Sequence, residues 1–172
     1  GGSTLTMQVA RNYFLTLDQT FLRKFTEILL AFQIEARLSK EEIFKLYVNR
    51  VFLGHRAYGF EAAAETYYGK PLAELTLAQH AMLAGVPKAP SRNNPLSNPE
   101  KGKIRRDWIL GRMANLGMIN ETEQLAATNT PVTASFYGQV VEVDADYIAE
   151  MVRREMVERF GNAAYNDGYV VY

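Results

Sequence analysis

Apolar residues recur at helical spacing along most of this chain. Phe21, Phe25, Ile28, Leu29, Phe32 and Ala36 follow the i, i+3, i+4, i+7 rule, and Thr20 stands where an N-cap would accept the first free backbone N–H groups. This pattern predicts an amphipathic helix over residues 21–38 with that stripe turned inward. Ser39 with Glu42 forms a capping box that opens a second helix to about residue 49, carrying Ile43, Leu46 and Tyr47 on one face. Residues 60–68 suit a short alanine-rich helix stopped by Gly69 and Pro71, and Thr76 with Gln79 caps another through residue 83.

Pro87, Pro90, Pro95 and Pro99 then impose a turn-rich loop, since proline removes a donor and biases the residue before it away from helix. A long helix is expected over residues 100–116, with Ile104, Trp108, Ile109 and Met113 inward and Gly117 at its C-cap, and Asn120 with Glu123 opens a small one. From residue 128 the character changes to Thr-Asn-Thr-Pro and then to Val140, Val141 and Val143, which marks a boundary or linker. A last helix is expected over 146–160, stopped by Gly161, and Gly168-Tyr169-Val170-Val171-Tyr172 reads as a strand. The fold class is therefore mainly α with a short α/β segment at the C-terminus.

Composition narrows the picture. With 172 residues and 48% apolar content the chain can bury a real core in one domain, and 19 basic against 19 acidic residues leave no broad positive field for nucleic acid. No cysteine is present, so neither disulfides nor thiolate metal sites arise, and His55 and His80 are too scattered for a zinc site. The longest greasy run, Ile28-Leu29-Leu30-Ala31-Phe32, falls far short of the ~18–20 residues needed to span a bilayer.

The candidate chemistry sits early. Gly1-Gly2-Ser3-Thr4-Leu5-Thr6-Met7-Gln8, read as an extended segment, supplies hydroxyls, an amide and flexible backbone N–H groups; Arg11 follows, and then Arg23 and Lys24, four and three residues before Glu27, so that all three can share one helix stripe. Two readings stay open: a weak surface ion-pair cluster, or a cationic cradle for a phosphorylated sugar, with Glu27 holding the cations or touching the sugar. Arg105 and Arg106 point about 100° apart on a helix, so both cannot meet one ligand equally, and at least one is expected in a structural ion pair. Tyr47 and Asn49 near a helix end suit packing and capping.

The order of these motifs is more specific than any one of them. Gly1-Gly2-Ser3-Thr4-x-Thr6-x-Gln8, Arg23-Lys24-x-x-Glu27, Lys40-x-x-Ile43-x-x-x-Tyr47-x-Asn49 and Arg105-Arg106-x-x-Ile109-Leu110 resemble the second to fifth motifs of the family 51 peptidoglycan glycosyltransferases. Tyr58-Gly59, Ala62-Ala63-Ala64, Tyr68-Gly69-Lys70 and Ala84-Gly85-x-Pro87-Lys88-Ala89-Pro90 are similar to the same domain of bifunctional class A penicillin-binding proteins of the Gram-negative type. The likeness continues through Tyr147-Ile148-Ala149-Glu150 to Asp167-Gly168-Tyr169, so it covers essentially the whole chain.

That resemblance implies a lysozyme-like helical domain on the periplasmic side of the cell inner membrane, polymerising lipid II into glycan strands with loss of undecaprenyl diphosphate. It implies residues 1–128 as the C-terminal portion of the glycosyltransferase domain and 129–172 as a linker toward a transpeptidase domain. The family's general-base glutamate falls upstream of Gly1, so this chain is expected to be inactive alone; Glu27 maps onto the second family glutamate, at the diphosphate end of the donor. Ser3, Thr4, Gln8, Arg11, Arg23 and Lys24 map onto substrate-binding positions, and Lys40, Tyr47, Asn49, Arg105 and Arg106 onto scaffold. Two well-separated carboxylates would predict inversion at the anomeric carbon, by analogy with glycosidases.

No cofactor is required by this reading, and it leaves room for magnesium at the diphosphate without a protein metal site. Expected partners are lipid II, the growing strand and the membrane surface, reached through an upstream anchor and through the apolar segment 13–22, for which core packing is the alternative. The sequence departs from the family pattern at Met7, where many members carry glutamine, at Gln19, where many carry arginine, and mildly at Ile109 for valine. The Ser-x-x-Lys signature of a penicillin-reactive transpeptidase does not occur. Two rivals remain: a lysozyme-like glycan-cleaving enzyme, which needs a protonated glutamic acid in an apolar pocket, whereas Arg23 and Lys24 favour the charged form of Glu27; and a non-catalytic helical interaction module.

Overall fold

A computed structural model describes residues 2–15, 21–138 and 146–161. Eight α-helices carry the described residues: α1 (Leu5–Phe14), α2 (Phe21–Arg37), α3 (Lys40–Arg50), α4 (Phe60–Tyr68), α5 (Leu77–Gly85), α6 (Pro99–Asn115), α7 (Glu121–Asn129) and α8 (Asp146–Phe160). The described residues contain no named strand, only an isolated antiparallel bridge between Phe52 and Tyr58. The expected Thr20 cap, the valine alternation at 140–143 and the strand at 168–172 lie outside the described residues.

The capping boxes at Ser39/Glu42, Thr76/Gln79 and Asn120/Glu123 all form. Their reciprocal bonds satisfy backbone donors that a helix start leaves open. At Ser39 the backbone and side-chain hydrogen bonds hold the Glu42 carboxyl below its usual range. Gly69 ends α4 in the left-handed region at φ 63°, as the sequence suggests.

Three expectations need correction. The N-terminal segment is not extended through Gln8: a helix begins at Leu5, because the Thr4 hydroxyl accepts from the Met7 N–H at 3.2 Å while the Met7 sulfur accepts from the Thr4 N–H at 3.5 Å. Methionine thus occupies the capping-box position that glutamate or glutamine ordinarily fills. The inward face of α2 is also not the apolar stripe: Glu27 and Ala31 are buried, whereas Phe21, Phe25, Leu29 and Phe32 are exposed, Phe21 by 97%. Likewise α6 buries Gly102, Arg106 and Leu110 and exposes Ile104 and Trp108.

Contacts divide the chain into two compact units, Gly1–Gly138 and Gln139–Tyr172. In the first, α1 packs on α2 and α3, and α6 packs on α5 and α7. The main core gathers Val51, Leu53, Ala63, Ala64, Tyr67 and Leu83 around α4; a second, smaller one joins Ala78, Ala81, Leu110 and Ala127. The first unit runs past residue 128, because Ser135 and Tyr137 donate backbone hydrogen bonds to the Tyr67 and Thr66 carbonyls. In the second unit α8 carries surface ion pairs, Arg153 to Glu150 and Arg159 to Glu155.

Candidate active site

The centre of the site is Glu27, a charged residue with no exposed surface. It is inward because α2 lies on α1 with its 23/27/31 stripe facing the protein, and Ala31 one turn further on is small enough for close approach. Lys24 Nζ donates to Glu27 Oε1 at 2.6 Å and to Ser3 Oγ at 2.9 Å, and so ties the N-terminal segment to α2. Arg23 Nη1 lies 3.5 Å from Glu27 Oε2, which is buried without a hydrogen-bond donor. Burying a carboxylate is tolerable only when it is paired. Here one oxygen is paired closely and the other only loosely.

The two cations are less hidden than the acid. The Lys24 side chain is 40% exposed and that of Arg23 18%, against 1% for Glu27. Among the described residues two cations thus meet one carboxylate that solvent does not reach, and Lys24 is the more outward of the two. Such a cluster can donate hydrogen bonds to the oxygens of an anionic group while Glu27 fixes the donors' positions.

Other predicted residues separate from this cluster. Thr4 caps α1, so its hydroxyl is engaged by the Met7 N–H. Gln8 and Arg11 follow Thr4 at helical spacing on one face of α1, both half-buried, opposite the buried Thr6, Val9 and Ala10. Lys40 opens α3 beside a mostly apolar groove of about 360 Å³ lined by Leu5, Thr6, Ile43 and Phe44. Gln19 lies outside the described residues.

Tyr47 packs against the main core, and burial pushes its phenol up. The Asn49 carbonyl lies against Gly59, where a Cβ would come within 2.7 Å of that oxygen, and φ there is +90°. Only glycine fits this turn without displacing α3. Arg106 is 1% exposed and donates to Asp107 Oδ1 and to the Thr130 and Thr128 carbonyls at 2.8, 2.8 and 2.9 Å. It is the structural ion pair expected of the Arg105-Arg106 motif. Arg105 turns away and stacks on Trp108, 4.2 Å from the ring centroid.

A buried polar network went unread in the sequence. The Tyr67 hydroxyl donates to the Leu53 carbonyl at 2.6 Å and accepts from Asn94 Nδ2 at 2.8 Å. Asn94 Oδ1 in turn accepts from the Leu96 and Ser97 N–H groups, which fixes the proline-rich loop. The available signal was the Asn93-Asn94 pair amid prolines, a hint of a side-chain-built turn.

The family model described as Transglycosylase matches residues 1–114. This chain belongs to that family. It is 58% identical over 171 residues to penicillin-binding protein 1A of Pseudomonas aeruginosa, covering 99% of this chain and 21% of the relative. Against penicillin-binding protein 1A of Haemophilus influenzae the identity is 50%, covering 100% and 20% of the two chains. The crystal structure of the H. influenzae protein superposes with a TM-score of 0.61 at 38% identity, over 93% of this chain and 21% of that one. The mainly helical, lysozyme-like class expected from the motifs therefore holds. This chain spans about one fifth of the length of these relatives.

Proposed function

We propose that this chain is part of a bifunctional transglycosylase/transpeptidase, and that its own contribution is to polymerise lipid II into peptidoglycan strands with release of undecaprenyl diphosphate. The observation that carries this reading is the buried Glu27 held by Lys24 and Arg23, with Ser3 bridged through Lys24. A diphosphate is already a good leaving group. Transfer from it needs positive charge at the departing oxygens rather than a strong acid, and Arg23 and Lys24 supply that charge. Glu27 holds both cations in place from beneath, Lys24 by a hydrogen bond and Arg23 by a looser ion pair. Activation of the acceptor hydroxyl belongs, on the family resemblance, to a glutamate upstream of Gly1.

Among the described residues no three acidic or histidine side chains are grouped to hold a metal ion. Magnesium at the diphosphate would therefore take its oxygens chiefly from the substrate, as such ions often do. No helix among the described residues is long and apolar enough to cross a membrane. The outward Phe21, Leu22, Phe25, Leu29 and Phe32 of α2, with exposed Tyr13 and Phe14 of α1, suit contact with a bilayer interface on the periplasmic side of the inner membrane. A division of roles near residue 128, with 129–172 as linker, belongs to the same proposal, although residues 129–138 pack within the first compact unit.

The test is lipid II polymerisation by the 172-residue chain beside a protein of the relatives' length, each with and without Glu27→Gln. Strands made by the long protein and lost on substitution are the expected result. Near-normal strand synthesis by the substituted protein would remove Glu27 from the mechanism, and release of short glycan fragments instead of strands would favour the cleaving enzyme.

A further inference from the structure

Away from Glu27, the proline-rich loop and α6 enclose a groove of about 560 Å³ lined by Lys88, Arg92, Lys101, Ile104, Arg105 and Trp108. The α6 members fall at positions 101, 104, 105 and 108, one helix face, and the loop brings Lys88 and Arg92 opposite them. No acidic side chain lines the groove, and Lys88, Arg92 and Lys101 make no ion pair with the described residues. Exposed cations usually scatter among carboxylates; four around one concavity raise its potential and focus anions there.

Two further observations point to a ligand. Arg105 is fixed by stacking on Trp108, and its Nε is buried with no hydrogen-bond acceptor. The fixing is possible because position 85 is glycine, where a Cβ would come within 2.9 Å of Arg105 Cγ. Trp108 and Ile104 are nonetheless 56% and 71% exposed, apolar surface beside fixed charge. The volume lies within the ~300–1,000 Å³ typical of small-ligand sites and is far too large for one inorganic anion.

We propose that this groove binds the carboxylate-bearing peptide-sugar units of the glycan strand, with the cations pairing the peptide carboxylates and the Trp108–Ile104 surface taking the apolar face of a sugar. The choice of strand over other anions rests on the reading of the chain as a glycan polymerase. Such a site, separate from the Glu27 cluster, would retain product during repeated transfer. A concave site with charge on both walls suits a strand threaded through it better than a flat bilayer.

Trp108 is the only tryptophan in the 172 residues, so its emission reports on the groove directly and without turnover. The 172-residue chain would be titrated with soluble disaccharide-peptide bearing free carboxylates, with the same compound amidated, with sodium phosphate at matched ionic strength, and with phosphatidylglycerol vesicles. A saturable emission change is expected with the free-carboxylate compound, and about tenfold weaker binding is expected after amidation or in the Lys88→Gln, Arg92→Gln double variant. Neither residue is buried, so the fold should survive; Lys101→Gln alone provides a second check. No emission change, equal affinity for the amidated compound, an equal response to phosphate or vesicles, or an unaltered double variant would each overturn the site. Because Glu27→Gln should leave this titration unchanged, loss of groove binding with intact polymerisation refutes the groove alone, and the reverse refutes only the assignment of Glu27.

Discussion

Helices α2 and α6 each have 17 residues, and each turns one charged side chain inward while showing large apolar residues outside. They differ in how that charge is satisfied. Arg106 on α6 makes hydrogen bonds with a neighbouring carboxylate and two backbone carbonyls. Those bonds tie α6 to the end of α7 and to Thr130 just beyond it. Glu27 on α2 is held through one oxygen by Lys24, while the other, near Arg23, accepts no hydrogen bond. A saturated buried ion fastens a structure; an unsaturated one beside accessible cations is poised for a ligand.

The sharpest way to break this comparison is to neutralise each charge. Glu27→Gln should lower strand synthesis by about a thousandfold, the scale of losing an electrostatic contact made in the transition state. Its stability, read by urea unfolding, should fall by less than about 2 kcal/mol, since glutamine keeps an oxygen that accepts from Lys24, whose side chain stays partly in solvent. Arg106→Met should do the opposite and destabilise by about 3–5 kcal/mol, because two carbonyls and Asp107 Oδ1 lose their donor, Lys103 holding only Oδ2. If both variants lost stability equally, the distinction between a fastening and a poised charge would fail.

The surroundings of Arg106 offer a subtler probe. Burial pushes the Tyr68 phenol up to about 12 from 10.0; Arg106 partly offsets this, and neighbouring Tyr67 adds to it. A phenol whose folded value is raised favours the folded state fully below pH 10 and loses that contribution as pH rises from 10 to 12. Stability should therefore fall by roughly 2–3 kcal/mol across that window, and Tyr68→Phe should flatten the decline. Tyr67 is raised by burial as well, in part offset by its Asn94 bond, and titrates with the same sign.

The smallest expected effect lies on the outer face of α2. Phe25→Ser should leave stability within about 0.5 kcal/mol, because a side chain already 59% exposed has little burial to lose. Vesicle co-sedimentation of that variant should nonetheless weaken if the face meets a bilayer. A large loss of stability would show instead that this face is covered by protein.

Legibility in the sequence followed interaction range. The capping boxes were readable because donor and acceptor are three residues apart and geometry leaves little choice. The motif order was readable as well, and with it Ser3, Arg23, Lys24 and Glu27 as one group. The directions of the faces of α2 and α6 were not, because periodicity identifies a stripe without saying what lies against it. On α2 the rule that the apolar stripe points inward failed where, on our reading, function needs a carboxylate buried and a membrane covers the other side.

What the sequence by itself determined, then, was the succession of helices, their caps, the family and the membership of the Glu27 cluster, all of which depend on neighbours a few residues apart or on motif order. The tertiary structure alone decided that Glu27 lies buried beneath its cations, that Arg106 is saturated by carbonyls more than twenty residues away, and that Lys88 and Arg92 meet the 101/105/108 face of α6. Burial and convergence are properties of how helices pack against one another, and a helical pattern can only propose the face on which they occur.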